Sequence, residues 1–209
     1  MRLNFGIIDY GLGNVNSVAN ALTRLGYRSI LSSRKEELLA LDALILPGVG
    51  AFPAAMEAME QRGLTGLLRE LALERGMPVL GICLGMEVLA EWGEEHGLHR
   101  GLGLIPGRVK ILPEGTGRKV PHVGWCPVSP KAEGEELFAR NGDGDAFYFD
   151  HSYYFDAPAE FRVCSVDWDQ EITAAVRKGL VMGVQFHPEK SQNAGLRLLR
   201  AFGNLVQRA

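Results

Sequence analysis

The sequence predicts an α/β fold: an open, mostly parallel central sheet with helices on both faces and an added antiparallel strand region. Two observations carry this expectation. Over roughly the first hundred residues, short apolar runs ending in glycine alternate with stretches of helical spacing, the pattern of right-handed β-α-β units. From about residue 102 the texture changes to strand-like runs separated by turns. The chain has 209 residues, 46% hydrophobic and 22% charged, an ordinary globular composition. No repeat, low-complexity tract or Pro/Ser linker divides it, so residues 1–209 are expected to form a single domain.

Taken in order, "LNFGIID" (3–9) reads as a buried strand ended by "YGLGN". "NVNSVANALTRLG" (14–26) spaces Val15, Val18, Ala19, Leu22 and Leu25 at helical intervals, and Gly26 is a natural stop. "RSILSS" is a short strand, and "ALILPGVG" (43–50) a second apolar strand running into glycines. Helices are expected at 53–62 and 64–75, a strand at "MPVLGIC" (77–83) and a helix at "LGMEVLAEWGEE" (84–95). The strand candidates of the second half are "GRVKILP", "HVGWCPV", "AFYFDHSYYF", "FRVCSVDW", "TAAVRKG" and "LVMGVQF". An amphipathic helix over 193–208 closes the chain. In open α/β sheets ligands sit at the carboxyl ends of the strands, which directs attention to the glycine clusters after residues 9, 47 and 82.

Charge and composition exclude several classes. The formal net charge is −3 and no dense Lys/Arg block is present, so neither nucleic acid nor an anionic membrane is the expected partner. Asn4 and Asp9 interrupt the short N-terminal apolar run, which does not read as a signal peptide. No stretch approaches the roughly 20 apolar residues of a spanning helix. Cys83, Cys126 and Cys164 form a sparse, odd set, which suits reduced thiols and a cytoplasmic setting. No Cys or His pair has zinc-ligand spacing, the glycine clusters fail the dinucleotide spacing, and no P-loop is present. Neither a metal nor a cofactor is expected.

"GICLG" (81–85) has the spacing of the nucleophile turn G-x-S-x-G, with Cys83 in the serine place. A strand that turns abruptly into a helix forces its apex residue into a strained conformation. Gly81 and Gly85 would relieve the crowding on either side. Cys83 would project at a helix N-terminus, whose dipole favours thiolate, and the Leu84 N–H would face a developing oxyanion. The competing reading is a buried structural cysteine beside two packing glycines.

"GVQFHPEKS" (183–191) supplies a base. A thiol nucleophile in acyl transfer needs a histidine, best held by a carboxylate. Pro188 keeps His187 extended, and residues two apart in an extended segment face the same way, so Glu189 can reach His187. "LPGVGAF" (46–52) offers a second oxyanion donor, the Val49 N–H, with Gly48 and Gly50 admitting close approach of substrate to backbone; a plain glycine-rich turn is the alternative.

Together these three motifs resemble the class I, triad-type glutamine amidotransferases. The ordered set "DYGLGN", "LPGVGAF", "GICLGME", "PHVGW", "YFDHSYY", "AAVRKG" and "GVQFHPEKSQ" is similar, within that family, to the glutaminase subunits of imidazole glycerol phosphate synthase in histidine biosynthesis. The resemblance spans nearly the whole chain. It implies that Cys83 attacks the side-chain amide of L-glutamine, His187 carries protons, Glu189 orients it, and the Val49 and Leu84 N–H groups form the oxyanion hole. It implies glutamine contacts from Gly48, Gly50, Glu87, His151, Ser152 and Tyr153. It also implies a heterodimer with a (β/α)8-barrel cyclase subunit, contacted by Asn14, Trp125, Tyr148 and Lys190. Without the resemblance, these four read as a capping Asn, a core Trp and Tyr, and a solvated Lys.

One position departs from the family pattern: Glu87 stands where the family usually has Gln. A carboxylate four residues past Cys83 on a helix would raise the thiol pKa, or it would pair with the α-ammonium of glutamine. Three alternatives accompany the favoured function. They are the glutaminase of another class I amidotransferase, a cysteine-elbow peptidase or stress protein on a related sheet, and a binding subunit that kept the scaffold without the activity.

Overall fold

The structure is a computed structural model and describes residues 2–113, 117–142 and 144–209. The first half runs β1 (Asn4–Ile8), α1 (Val15–Arg24), β2 (Arg28–Ser32), α2 (Lys35–Leu38), β3 (Ala43–Gly48), α3 (Phe52–Gln61) and α4 (Leu64–Arg69). A π-helical turn over Glu70–Glu74 prolongs α4. Then β4 (Val79–Cys83) passes without a break into α5 (Leu84–Glu87). The second half comprises β5 (Trp92–Gly93), β6 (His99–Arg100), β7 (Arg108–Ile111), β8 (His122–Pro127), β9 (Ser129–Pro130), α6 (Glu135–Phe138), β10 (Ala146–His151) and β11 (Tyr153–Asp156). It closes with β12 (Arg162–Asp167), β13 (Glu171–Lys178), β14 (Val181–Val184) and α7 (Gln192–Val206).

The main sheet has the order β2-β1-β3-β4-β14-β13-β12-β9. Its first five strands are parallel; β13, β12 and β9 follow, each antiparallel to the strand before it. Every residue of β3 is buried, as expected of a parallel strand covered on both faces. The pleat divides its side chains: Ile45 joins a core with α1 and α7, through Val18, Leu22, Leu198 and Phe202. Leu44 and Leu46 join the opposite core with α3 and α4, through Phe52, Met59 and Leu68. Truncating a fully buried anchor such as Phe202 to Ala would cost about 3–5 kcal/mol. Helix α1 stops where expected, at Gly26 with φ +84°.

The register positions the chemistry. Gly48 of β3 lies beside Cys83, and Gly183 of β14 lies beside Gly81 of β4. Because β4 and β14 are parallel neighbours, residues over a hundred positions apart in sequence leave the sheet at the same edge.

Two sequence expectations need correction. The helix expected over 84–95 ends at Glu87. After one further turn, Trp92 and Gly93 form β5 between β6 and β7, because sheet pairing with 99–109 outweighs the local helical spacing. "AFYFDHSYYF" is not one strand. It breaks at Ser152, β10 pairing with β8 and β11 with β7 in two separate small sheets. Among the described residues, no helix is long and apolar enough to cross a membrane.

Candidate active site

Cys83 closes β4 with φ 55° and ψ −116°, a conformation that costs a non-glycine residue on the order of 1–3 kcal/mol. The glycines around it make that corner buildable. A Cβ at Gly81 would overlap the Gly85 carbonyl, and one at Gly85 would overlap the Leu46 carbonyl. Gly48 serves the same purpose, since a Cβ there would sit 2.6 Å from the Tyr10 hydroxyl and 2.8 Å from the Gly85 nitrogen. Its neighbours Val49 and Gly50 line the cavity beside Cys83. The Tyr10 hydroxyl donates to the Pro47 carbonyl at 2.7 Å, tying β1's exit to β3.

The electrostatics of Cys83 differ from the sequence argument. Helix α5 has four residues, too short for a substantial dipole. Burial pushes the thiol pKa far above its ordinary value, and the Glu87 carboxyl raises it further. The Leu84 N–H pulls the other way, while Glu189 and Asp150 add to the rise. The thiol is therefore protonated at rest, and it donates to the Asp150 carbonyl at 3.7 Å.

His187 is extended, with φ −99° and ψ 96°, as Pro188 requires. Glu189 reaches it from a 3₁₀ turn over Pro188–Lys190, a tighter route than the extended one expected. The ring Nδ1 lies 2.8 Å from Glu189 Oε1, with both side chains 3% exposed or less. A carboxylate can only accept here, so Nδ1 carries the proton and Nε2 is left as the base. Sequence reasoning missed Ser191. Its hydroxyl donates to the His187 carbonyl at 2.6 Å and accepts from the Tyr148 N–H at 2.9 Å. With His187 N–H donating to the Tyr148 carbonyl at 2.8 Å, it pins the base's backbone to β10.

Cys83 and His187 line one cavity of about 300 Å³ with Val49, Gly50, Leu84, Glu87, His151, Ser152 and Tyr153. Among the described residues no hydrogen bond joins the thiol to the imidazole; the thiol's bond goes to Asp150. Catalytic contacts commonly tighten only when substrate is bound. Glu95, Pro121 and Asp150 also line the cavity. No local pattern marks Glu95, whose carboxylate accepts from the Phe52 N–H at 2.6 Å.

Glu87 is 5% exposed, and its Oε1 accepts from Gln185 Nε2 at 2.8 Å. Burial raises its pKa to about 8, a rise opposed by the Gln185 bond and assisted by Glu95. At neutral pH it is chiefly a neutral carboxylic acid, close in shape and hydrogen bonding to an amide. Gln185 was also missed, although it lies two residues before His187 in the run from β14, a spacing that pointed to it.

His151 has both ring nitrogens engaged: Nδ1 at 2.7 Å from the Tyr153 carbonyl and Nε2 at 3.0 Å from His122 Nδ1. The carbonyl fixes the direction of the chain. His151 Nδ1 donates to it, His122 Nδ1 donates to His151, and the Cys126 thiol 3.1 Å from His122 Nε2 donates inward. Burial lowers the pKa of His151 to about 3 and of His122 to about 4, keeping both neutral. His151 thus lines the cavity as a neutral ring whose two nitrogens are both engaged.

Trp125 is 47% exposed, which overturns the core reading of that residue. Its ring meets Tyr148 edge-on at 6.0 Å, and Lys190 Nζ lies 5.4 Å from the Tyr148 ring. Tyr148 in turn lies 6.4 Å from the His187 ring. Asn14 begins α1 without a side-chain capping bond, so its capping role is absent too.

Comparison with known proteins accords with this geometry. The family model "Glutamine amidotransferase class-I" matches residues 6–204, and the chain belongs to that family. It is 47% identical to the imidazole glycerol phosphate synthase subunit HisH of Moorella thermoacetica, over 97% of this chain and 95% of that one. It is 46% identical to HisH 2 of Vibrio vulnificus, over 96% and 94%. With these relatives the chain falls in the HisH branch of the family. Solved structures share the fold at lower identity. One is a glutamine amidotransferase (TM-score 0.76, 23% identity, 97% and 98% coverage). Another is PurLQS from Thermotoga maritima (TM-score 0.76, 17% identity, 99% and 100% coverage).

Proposed function

We propose that this chain, working as one domain, hydrolyses L-glutamine to glutamate and ammonia as the glutaminase subunit of imidazole glycerol phosphate synthase in histidine biosynthesis. The observation that carries the reading is the single cavity walled by Cys83 and by His187, whose Nδ1 is held 2.8 Å from a buried carboxylate.

His187 Nε2 takes the thiol proton as Sγ attacks the glutamine side-chain carbonyl carbon. The oxygen of the tetrahedral intermediate gathers negative charge, which the N–H groups of Leu84 and Val49 stabilise. His187 returns the proton to the departing nitrogen, the C–N bond breaks, and ammonia leaves a glutamyl thioester on Cys83. Water then attacks the thioester with His187 as base, releasing glutamate and restoring the thiol. Glu189 holds the tautomer and stabilises the imidazolium. The high thiol pKa suits a site that is slow until substrate or a partner brings imidazole and sulfur together. Gly48, Gly50, Glu87, His151, Ser152 and Tyr153 hold glutamine.

The ammonia passes to a (β/α)8-barrel cyclase subunit in a heterodimer, where a ribulosyl-aminoimidazole phosphate substrate yields imidazole glycerol phosphate and an aminoimidazole carboxamide ribotide. Asn14, Trp125, Tyr148 and Lys190 face that partner. An exposed tryptophan beside the base's own neighbour suits this role, since aromatic anchors dominate interfaces. The reaction needs neither metal nor cofactor, involves no nucleic acid or membrane, and belongs to the cytoplasm.

Cys83→Ala tests the division of labour. Ammonia release from glutamine should vanish while the assembled complex still cyclises with external ammonium. Loss of both contradicts the proposal. Peptide cleavage without glutamine hydrolysis would favour the peptidase alternative, and failure to co-purify with a cyclase would favour another amidotransferase.

A further inference from the structure

On the face of α1 and α7, away from Cys83, a cavity of about 590 Å³ is lined by Arg24, Arg140, Arg197 and Arg200, with Leu25, Leu196 and Asn193. Its size falls within the usual range for small-molecule sites, about 300–1,000 Å³. The local charge is lopsided in a chain whose net charge is −3: neither α1 nor α7 contains an Asp or Glu. Arg197 is held in place by Asp145, whose two carboxylate oxygens lie 2.7 and 2.6 Å from its Nη2. Asp145 is itself fixed by Asn141 and the Gly142 N–H, each at 3.0 Å. Among the described residues, Arg24, Arg140 and Arg200 have no carboxylate partner. Three guanidinium groups without a carboxylate partner and one braced by Asp145 thus share a concavity.

We propose that this groove is a binding site for a small oligophosphate: a ligand carrying two or more linked phosphates, free or on a nucleoside. Guanidinium forks match phosphate oxygens two at a time, and several set around one concavity favour linked phosphates over a single carboxylate or orthophosphate. Leu25 and Leu196 offer apolar wall for a non-phosphate portion. A polynucleotide would call for a basic track longer than one cavity.

Calorimetric titration of the full chain with inorganic triphosphate, ATP and orthophosphate tests the site. Triphosphate and ATP should bind saturably, at least about tenfold tighter than orthophosphate, and more weakly as salt rises. The triple variant Arg24→Ala/Arg140→Ala/Arg200→Ala should lose at least about tenfold in affinity for both. Its thermal midpoint and glutamine turnover without ligand should match the parent, since all three side chains are clear of the catalytic cavity. ATP tighter than triphosphate would locate a nucleoside on the leucine wall; equal affinities would assign the binding to phosphate alone. The proposal fails if neither ligand binds, if orthophosphate binds as well, if the triple variant binds like the parent, or if single-stranded RNA binds tighter and is lost with the same arginines.

Discussion

Replacing Glu87 by Gln separates the charge of this side chain from its shape. In the folded chain the carboxyl pKa is raised from 4.5 to about 8, so the folded state holds a proton that the unfolded chain has released. The contribution of Glu87 to stability is therefore intact below about pH 4.5 and is lost progressively as pH rises through 8. At 1.36 kcal/mol per pH unit, the loss is at most about 5 kcal/mol. Glu87→Gln keeps an oxygen to accept the 2.8 Å bond from Gln185 Nε2 and carries no titratable group. Urea unfolding should place variant and parent within about 1 kcal/mol near pH 4.5. Near pH 9 the variant should be more stable by several kcal/mol, up to about 5. Activity should follow the same axis: ionised Glu87 opposes the Cys83 thiolate, so the variant should turn glutamine over faster above about pH 8 and much like the parent near pH 6.5. Parallel stability curves across this range, or turnover that is flat or lower at high pH, would refute the reasoning.

Gly85→Ala should abolish the soluble fold or destabilise it by more than about 2 kcal/mol, since the added methyl overlaps the Leu46 carbonyl; thermal unfolding measures this. Trp125→Ala should leave the thermal midpoint within a few degrees of the parent, because the ring is half exposed, while weakening association with the cyclase; collapse of stability would return the residue to the core. His151, whose folded pKa is lowered to about 3, should cost stability as pH falls below about 6.5, where the unfolded chain gains a proton the folded chain refuses. His151→Gln should flatten this acid limb in a pH series of urea midpoints.

The Cys83 corner and the His187–Glu189 pair were legible because their constraints are local. A glycine two residues before and after Cys83 announces a corner, and a proline after His187 announces an extended base with a carboxylate in reach. Glu87 was visible as a departure, but its protonation was not, since that depends on burial and on Gln185, nearly a hundred positions away. The His122–His151–Cys126 chain was hidden for a similar reason: the antiparallel pairing of β8 with β10 sets His122 opposite His151. The helix expected over 84–95 failed because spacing reports a preference, whereas the ladder of β5 with β6 and β7 is satisfied only in three dimensions.

By itself, then, the amino-acid order determined the alternating α/β class, the strained corner at Cys83 and the pairing of His187 with Glu189. These rest on backbone sterics and on periodicities of a few residues. Only the tertiary structure decided which titratable groups carry protons, which aromatics stay in solvent and which arginines converge on one groove. Desolvation and Coulomb interactions act through space, between groups that the chain order leaves far apart.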